Sequence, residues 1–266
     1  MTYRDETLDV RGRQVRVLRG GDGPPLLYLH DTFTAADLWL VLHDRLASQY
    51  EIVVPVHPGC AGSDDTDIDT MEDMVFHYLD VCEAVALERP IVIGASLGGW
   101  IAAEIAVRYT SLLQGLILID ALGLRVPDAP TADILRLDAT QTRAHLFADA
   151  SSDLARRVIP DVPGAADLPV LLQARHCLAR FAWQFPDNPK LARYLYRVRV
   201  PTLIIWGEQD GLVSSAHGQA YQQSIAGAVL HLVPQSGHLP HVEQPEACTR
   251  LVTDFLKHVS PRSVRS

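Results

Sequence analysis

Residues 90–100 read PIVIGASLGGW. The run opens with short, uncharged, β-branched residues, the composition of a strand buried on both faces. Residues 97–109 follow with Ile101, Ile105 and Tyr109 at helical spacing. Between the two lies Gly94-Ala95-Ser96-Leu97-Gly98, a G-x-S-x-G match. That pentapeptide has chemical meaning when a strand precedes it and a helix follows. The turn must hold Ser96 in a strained conformation with its Oγ projecting. Side chains two residues to either side would collide, which is why Gly94 and Gly98 stand there. The helix also aims its positive end at the serine. Without this setting, the pentapeptide reads as a Gly-rich helix start with a surface serine.

Outward from this turn, short apolar runs alternate with amphipathic ones. Strands are expected at 14–19, 25–30 (PLLYLH), 51–57 (EIVVPVH), 90–95, 116–120 (LILID), 202–206 (TLIIW) and 229–233 (VLHLV). Helices are expected at 35–48, through Leu38, Leu42 and Leu46, and at 71–87, 97–109 and 244–258. This alternation predicts an α/β fold with a mostly parallel sheet flanked by helices. Residues 122–199 break it, with no strand candidate and helical runs at 131–138, 141–148, 168–183 and 189–196. They read as a helical cap inserted into a core domain of residues 1–121 and 200–266.

The chain has 266 residues, 48% of them apolar, enough for a large buried core. A net charge of −9 argues against nucleic acid as a partner. The longest strongly apolar stretch, 115–119, is far too short to span a bilayer, and the charged start MTYRDETLDV shows no secretory signal. Cys60, Cys82, Cys177 and Cys248 are widely spaced and read as free thiols in a reducing cytoplasm. No metal or cofactor is expected, and the partner is a small-molecule substrate.

A serine hydroxyl needs a base to take its proton, and the base needs a carboxylate to hold it. Among 11 histidines, His238 stands out by position, following Ser236-Gly237 just past the last apolar strand. His241 is the second candidate, and His217 reads as solvent-facing. Asp210 ends WGEQD after a buried strand, where it could equally cap a helix. Asp120 is the alternative carboxylate and Glu208 a weaker one.

With these residues placed, nearly the whole chain resembles the α/β-hydrolase family. Residues 27–37 (LYLHDTFTAAD) look like its loop after the third strand, and 55–64 (PVHPGCAGSD) like the loop after the fourth. Residues 201–210 (PTLIIWGEQD) and 236–245 (SGHLPHVEQP) resemble the segments carrying the acid and the histidine. The resemblance implies an eight-stranded sheet with a helical cap and a catalytic set of Ser96, Asp210 and His238. It also implies oxyanion donors at the backbone N–H groups of Leu97 and Thr32. Two positions depart from the pattern. Asp31 replaces the usual glycine, and the glycines in Gly59-Cys60-Ala61-Gly62-Ser63 are shifted by one. A carboxylate beside a developing oxyanion would repel it. Asp31 is therefore expected to turn away, onto an arginine or a backbone N–H.

Phe33 and Trp100, next to this machinery, are the pocket candidates. Trp39, Phe147, Trp183, Phe185 and Tyr194 read as ordinary packing, and Arg136, Arg143, Arg175 and Arg180 as solvated helix faces. The resemblance implies hydrolysis of a small-to-medium carboxylic ester through an acyl-enzyme. Lactone, thioester or carbon–carbon cleavage of diketones with the same residues is the alternative. A non-catalytic small-molecule receptor is a third reading, favoured only by Asp31.

Overall fold

A computed structural model describes residues 3–34, 38–183 and 186–259. Its strands are β1 (Arg4–Val10), β2 (Arg13–Gly20), β3 (Pro25–Leu29), β4 (Glu51–Pro55), β5 (Ile91–Ala95), β6 (Gly115–Ile119), β7 (Thr202–Gly207) and β8 (Val229–Val233). They form one sheet in the order β1-β2-β4-β3-β5-β6-β7-β8. β2 pairs antiparallel with β1 and β4, and every other pairing is parallel. The central strands β5, β6 and β7 are buried along their whole length, as their uninterrupted apolar sequences require. β8 has the same apolar look but is an edge strand, with Val229 and Leu232 exposed. β1 was not among the seven strands placed from the sequence, although the resemblance implied an eighth. RDETLDV is charged, yet it forms a hairpin with β2 across the two-residue turn Arg11-Gly12. Charge suits the outer strand of a sheet, because it discourages pairing with other chains.

Helices cover both faces: α1 (Val41–Leu46), α2 (Met71–Ala84), α3 (Leu97–Tyr109), α4 (Ala139–Leu146), α5 (Asp153–Val158), α6 (Leu168–Ala182), α7 (Ser215–Ser224), α8 (Pro240–Glu243) and α9 (Pro245–Val259). α2 starts where its sequence dictates. Thr70 Oγ1 accepts the Asp73 N–H at 3.1 Å, and Asp73 accepts the Thr70 N–H at 2.8 Å, a reciprocal cap. α1 starts at Val41 rather than residue 35. Residues 35–37 of the expected helix lie outside the described residues, and 38–40 are not helical. Among the described residues, no helix is long and apolar enough to cross a membrane.

The segment between β6 and β7 holds α4, α5 and α6 and no strand. The runs at 131–138 and 189–196 are helical only as short 3-10 turns, Ile134–Arg136, Leu191–Arg193 and Leu195–Arg197. α5 was missed by the sequence reading, and Ser152 caps it by accepting the Ala155 N–H at 3.1 Å.

The two ends of this segment are clipped together. The Gly123 N–H donates to Pro186 O at 3.1 Å, and the Asn188 N–H to Gly123 O at 2.9 Å. Asn188 Nδ2 also reaches Glu104 on α3 at 2.8 Å. Arg180 on α6 donates to the carbonyl of Ile68 at 3.0 Å and pairs with Asp65 at 2.6 Å. Arg143 is buried against Asp161 and Ile159 O. These two arginines are pins, not solvated faces. Cys177, Leu178, Leu191 and Leu195 belong to the same apolar core as the sheet.

Candidate active site

Ser96 ends β5 and starts α3 with φ +52° and ψ −115°, a strained conformation for a residue with a side chain. The two glycines make the turn possible. A Cβ on Gly94 would lie 2.3 Å from Gly98 O, and one on Gly98 only 2.1 Å from Leu29 O. The Ser96 N–H is tied to Ile119 O at 2.9 Å, which locks the turn onto β6.

The Ser96 hydroxyl is 2.8 Å from Nε2 of His238, and Nδ1 of His238 is 2.8 Å from Oδ2 of Asp210. Nδ1 therefore donates to the carboxylate, leaving the Nε2 lone pair for the serine proton. Oδ1 of Asp210 accepts the N–H groups of Leu212 and Val213, both at 2.9 Å, so β7 and the loop after it aim this carboxylate. The His238 N–H donates to Leu146 O at 2.8 Å, at the end of α4. Both side chains are sealed from solvent.

The other carboxylates are placed differently. Asp120 accepts the Gly207 N–H at 2.8 Å. Burial, and then the Asp210 charge, push its carboxyl well above the usual range, so it stays protonated. Glu208 is exposed. Ligand atoms of Asp120, Asp210 and His238 lie within 4.8 Å of one another. Asp210 and His238 already spend theirs on each other, and a protonated Asp120 is a poor ligand.

The N–H groups of Thr32 and Leu97 donate to nothing among the described residues. Beside Thr32, Asp31 turns inward. Its Oδ1 accepts the N–H groups of Phe33 at 2.6 Å and Thr34 at 2.8 Å. Its Oδ2 accepts the Thr34 hydroxyl at 2.8 Å and faces Nε2 of His241 at 3.2 Å. The expected backbone partners are present, but the side-chain partner is a histidine on α8 rather than an arginine. Burial pushes the Asp31 carboxyl up; the His241 and Thr34 bonds outweigh this and hold it well below its ordinary value.

On the other side, His57 Nε2 donates to His30 O at 2.7 Å, and the His57 N–H donates to His30 Nε2 at 2.9 Å. His30 Nδ1 in turn donates to the Asp31 carbonyl. This brace was missed by the sequence reading. Its one signal was polar residues, His30, Asp31 and His57, at the ends of buried strands.

His30, His43, His57 and His77 are all buried. Burial lowers each of their pKa values, to about 3 for His43 and about 4 for His77. Each favours the folded state while neutral. That contribution is complete above the unfolded pKa near 6.5 and is lost as the pH falls toward the folded values. At pH 5, His43 and His77 together should cost up to about 4 kcal/mol, or on the order of 10 °C in Tm. A melting temperature that stays flat between pH 7 and pH 5 in thermal unfolding scans would contradict this.

Two cavities adjoin the site, of about 440 Å³ and 310 Å³. Both are lined by Phe33, Ile134, Leu135 and Leu178, and Thr32 lines the smaller. The Phe33 ring stands edge-on to His238 with 5.9 Å between centroids. Trp100 is not a pocket wall. It is buried, and its Nε1 donates to Glu104 at 2.9 Å. Trp183 is exposed and lines the larger cavity, and Phe185 lies outside the described residues. His217 is buried rather than solvent-facing, and it lines the larger cavity.

A model of the alpha/beta hydrolase family matches residues 26–251. The chain belongs to the alpha/beta hydrolase family. It is 25% identical to human monoacylglycerol lipase ABHD6, over 91% of this chain and 77% of that one. It is 27% identical to the dihydrolipoyllysine-residue acetyltransferase component of the acetoin cleaving system of Cupriavidus necator, over 93% and 68%. Among solved structures, it superposes on a serine hydrolase involved in carbazole degradation with a TM-score of 0.79. That match has 19% identity and covers 97% of this chain and 100% of the other. It superposes equally, at 0.79 with 16% identity, on 2-hydroxy-6-oxo-6-phenylhexa-2,4-dienoate hydrolase from Rhodococcus sp. strain RHA1, over 96% and 99%. At these identities the structural matches show a shared fold.

Proposed function

We propose that this family member is a serine hydrolase that cleaves small-to-medium carboxylic esters through an acyl-enzyme on Ser96. The unbroken hydrogen-bonded chain from Asp210 through His238 to Ser96 carries the reading. His238 Nε2 takes the Ser96 proton as Oγ bonds to the substrate carbonyl carbon. Negative charge moves to the carbonyl oxygen, where the free N–H groups of Thr32 and Leu97 receive it. The intermediate collapses, and the alcohol leaves with the proton from His238. Water, deprotonated by His238, then releases the acid and restores Ser96.

In this reading residues 122–199 form a cap over a core of 1–121 and 200–266. The cap supplies most of the walls of both cavities, whose sizes suit ligands of modest length. A second reading, carbon–carbon hydrolysis of a diketone, draws on the fold shared with the Rhodococcus hydrolase.

Mixing the protein with p-nitrophenyl butyrate should release a burst of about one equivalent of p-nitrophenol, followed by slower turnover. An aryl phosphonate should modify the peptide containing Ser96, read by mass spectrometry. Absence of both the burst and the phosphonate adduct would rule out the ester reading and favour a receptor. Turnover of a ring-cleavage diketone without ester turnover would favour the second reading.

A further inference from the structure

His217 sits in the first turn of α7 and is 1% exposed. Its Nδ1 lies 3.2 Å from the Ser214 carbonyl. A carbonyl only accepts, so Nδ1 carries the hydrogen and Nε2 carries the lone pair. Burial holds the pKa of this ring below its usual value, so it is neutral at physiological pH. Nε2 has no partner among the described residues. His217 lines the larger cavity, and Nε2 is the ring nitrogen there that is not committed to Ser214. The wall there is largely apolar, including Leu122, Leu124, Leu178 and Leu212, and its charged residues Arg125 and Asp187 pair with each other at 2.9 Å. A fixed acceptor in an apolar wall serves a ligand that brings a donor, because an unpaired buried acceptor costs free energy.

We propose that Nε2 of His217 accepts a hydrogen bond from a hydroxyl on the part of the substrate that enters the larger cavity. The protein thereby selects hydroxylated esters over their methyl isosteres. The turnover consequence rests on the ester reading above; the binding consequence does not.

Two isosteric pairs test this, one for each side of the ester. The acyl pair is p-nitrophenyl 3-hydroxybutyrate and p-nitrophenyl 3-methylbutyrate. The alcohol pair is 2-hydroxyethyl butyrate and propyl butyrate. In at least one pair, the hydroxylated member should show about tenfold higher kcat/KM. His217→Leu should level that pair, and His217→Gln, which keeps an acceptor, should retain part of the preference. The same comparison by calorimetry in Ser96→Ala protein reads binding without turnover. There the hydroxylated ester should bind about tenfold tighter, and adding His217→Leu should remove the difference. Equal binding within both pairs, or a preference that survives His217→Leu, overturns the proposal. Selective binding by Ser96→Ala protein, with no turnover by the native protein, keeps the proposal and overturns the ester reading.

Discussion

Replacing Asp210 with Asn is expected to lower kcat for p-nitrophenyl butyrate by about 10⁴-fold, while Asp120→Asn should cost no more than about tenfold. The two carboxylates are close neighbours at the ends of β7 and β6, yet their hydrogen-bond partners differ. Asp210 receives the His238 Nδ1–H on one oxygen and two backbone N–H groups on the other. An amide at 210 would satisfy the two backbone donors with its oxygen and turn its NH2 toward Nδ1. That forces the hydrogen of His238 onto Nε2, where it faces Ser96 and cannot accept the serine proton. Asp120 is kept protonated by burial and by the Asp210 charge. Asn there keeps the acceptor for the Gly207 N–H and changes no formal charge. Steady-state kcat of the two variants decides the matter. A large loss at 120 with little at 210 would transfer the role of acid to Asp120.

What was legible in the sequence followed from local rules. Buried central strands are uninterrupted apolar runs, and β5, β6 and β7 were found within one residue at each end. The serine turn was legible because steric crowding demands glycine at two fixed offsets, as the approaches of 2.3 and 2.1 Å show. His238 stood out because it follows a strand at the sheet edge where loops converge, whereas Asp210, which could equally cap a helix, was singled out by the family resemblance of its segment. What was not legible depended on distant partners. Charged β1 is a strand because β2 pairs with it, a fact no window of seven residues contains. His217 and His241 look alike in sequence, two polar residues at helix starts. Only the fold shows that one borders a cavity and the other meets Asp31, 210 positions away.

Replacing Asp31 with Ala is expected to lower kcat by about 10²–10³-fold with little change in KM. The reason lies in what Asp31 holds rather than in what it touches. Its four hydrogen-bonded contacts fold residues 31–34 around the carboxylate and tie them to α8, just past His238. That turn leaves the Thr32 N–H as the one backbone donor among residues 32–34 not spent on Asp31. Removing the carboxylate strands the Phe33 and Thr34 N–H groups, which then compete for new partners by moving the loop. The donor lost is needed only when charge develops on the carbonyl oxygen, so the loss belongs in kcat rather than KM. Asp31→Asn separates geometry from charge. Its amide oxygen can still accept from Phe33 and Thr34, so kcat should stay within about tenfold of the native value. Asp31→Gly, which restores the residue usual in the family, should fare no better than Ala, because this loop is built around the carboxylate. The pKa of Asp31 is depressed in the folded state, so its contribution to stability is present above the unfolded pKa near 3.9 and is lost as the pH falls below it. The Asn variant should lack that loss and show a flatter dependence of Tm on pH below about pH 4. Native kcat in Asp31→Ala would show that the Thr32 loop does not serve the oxyanion.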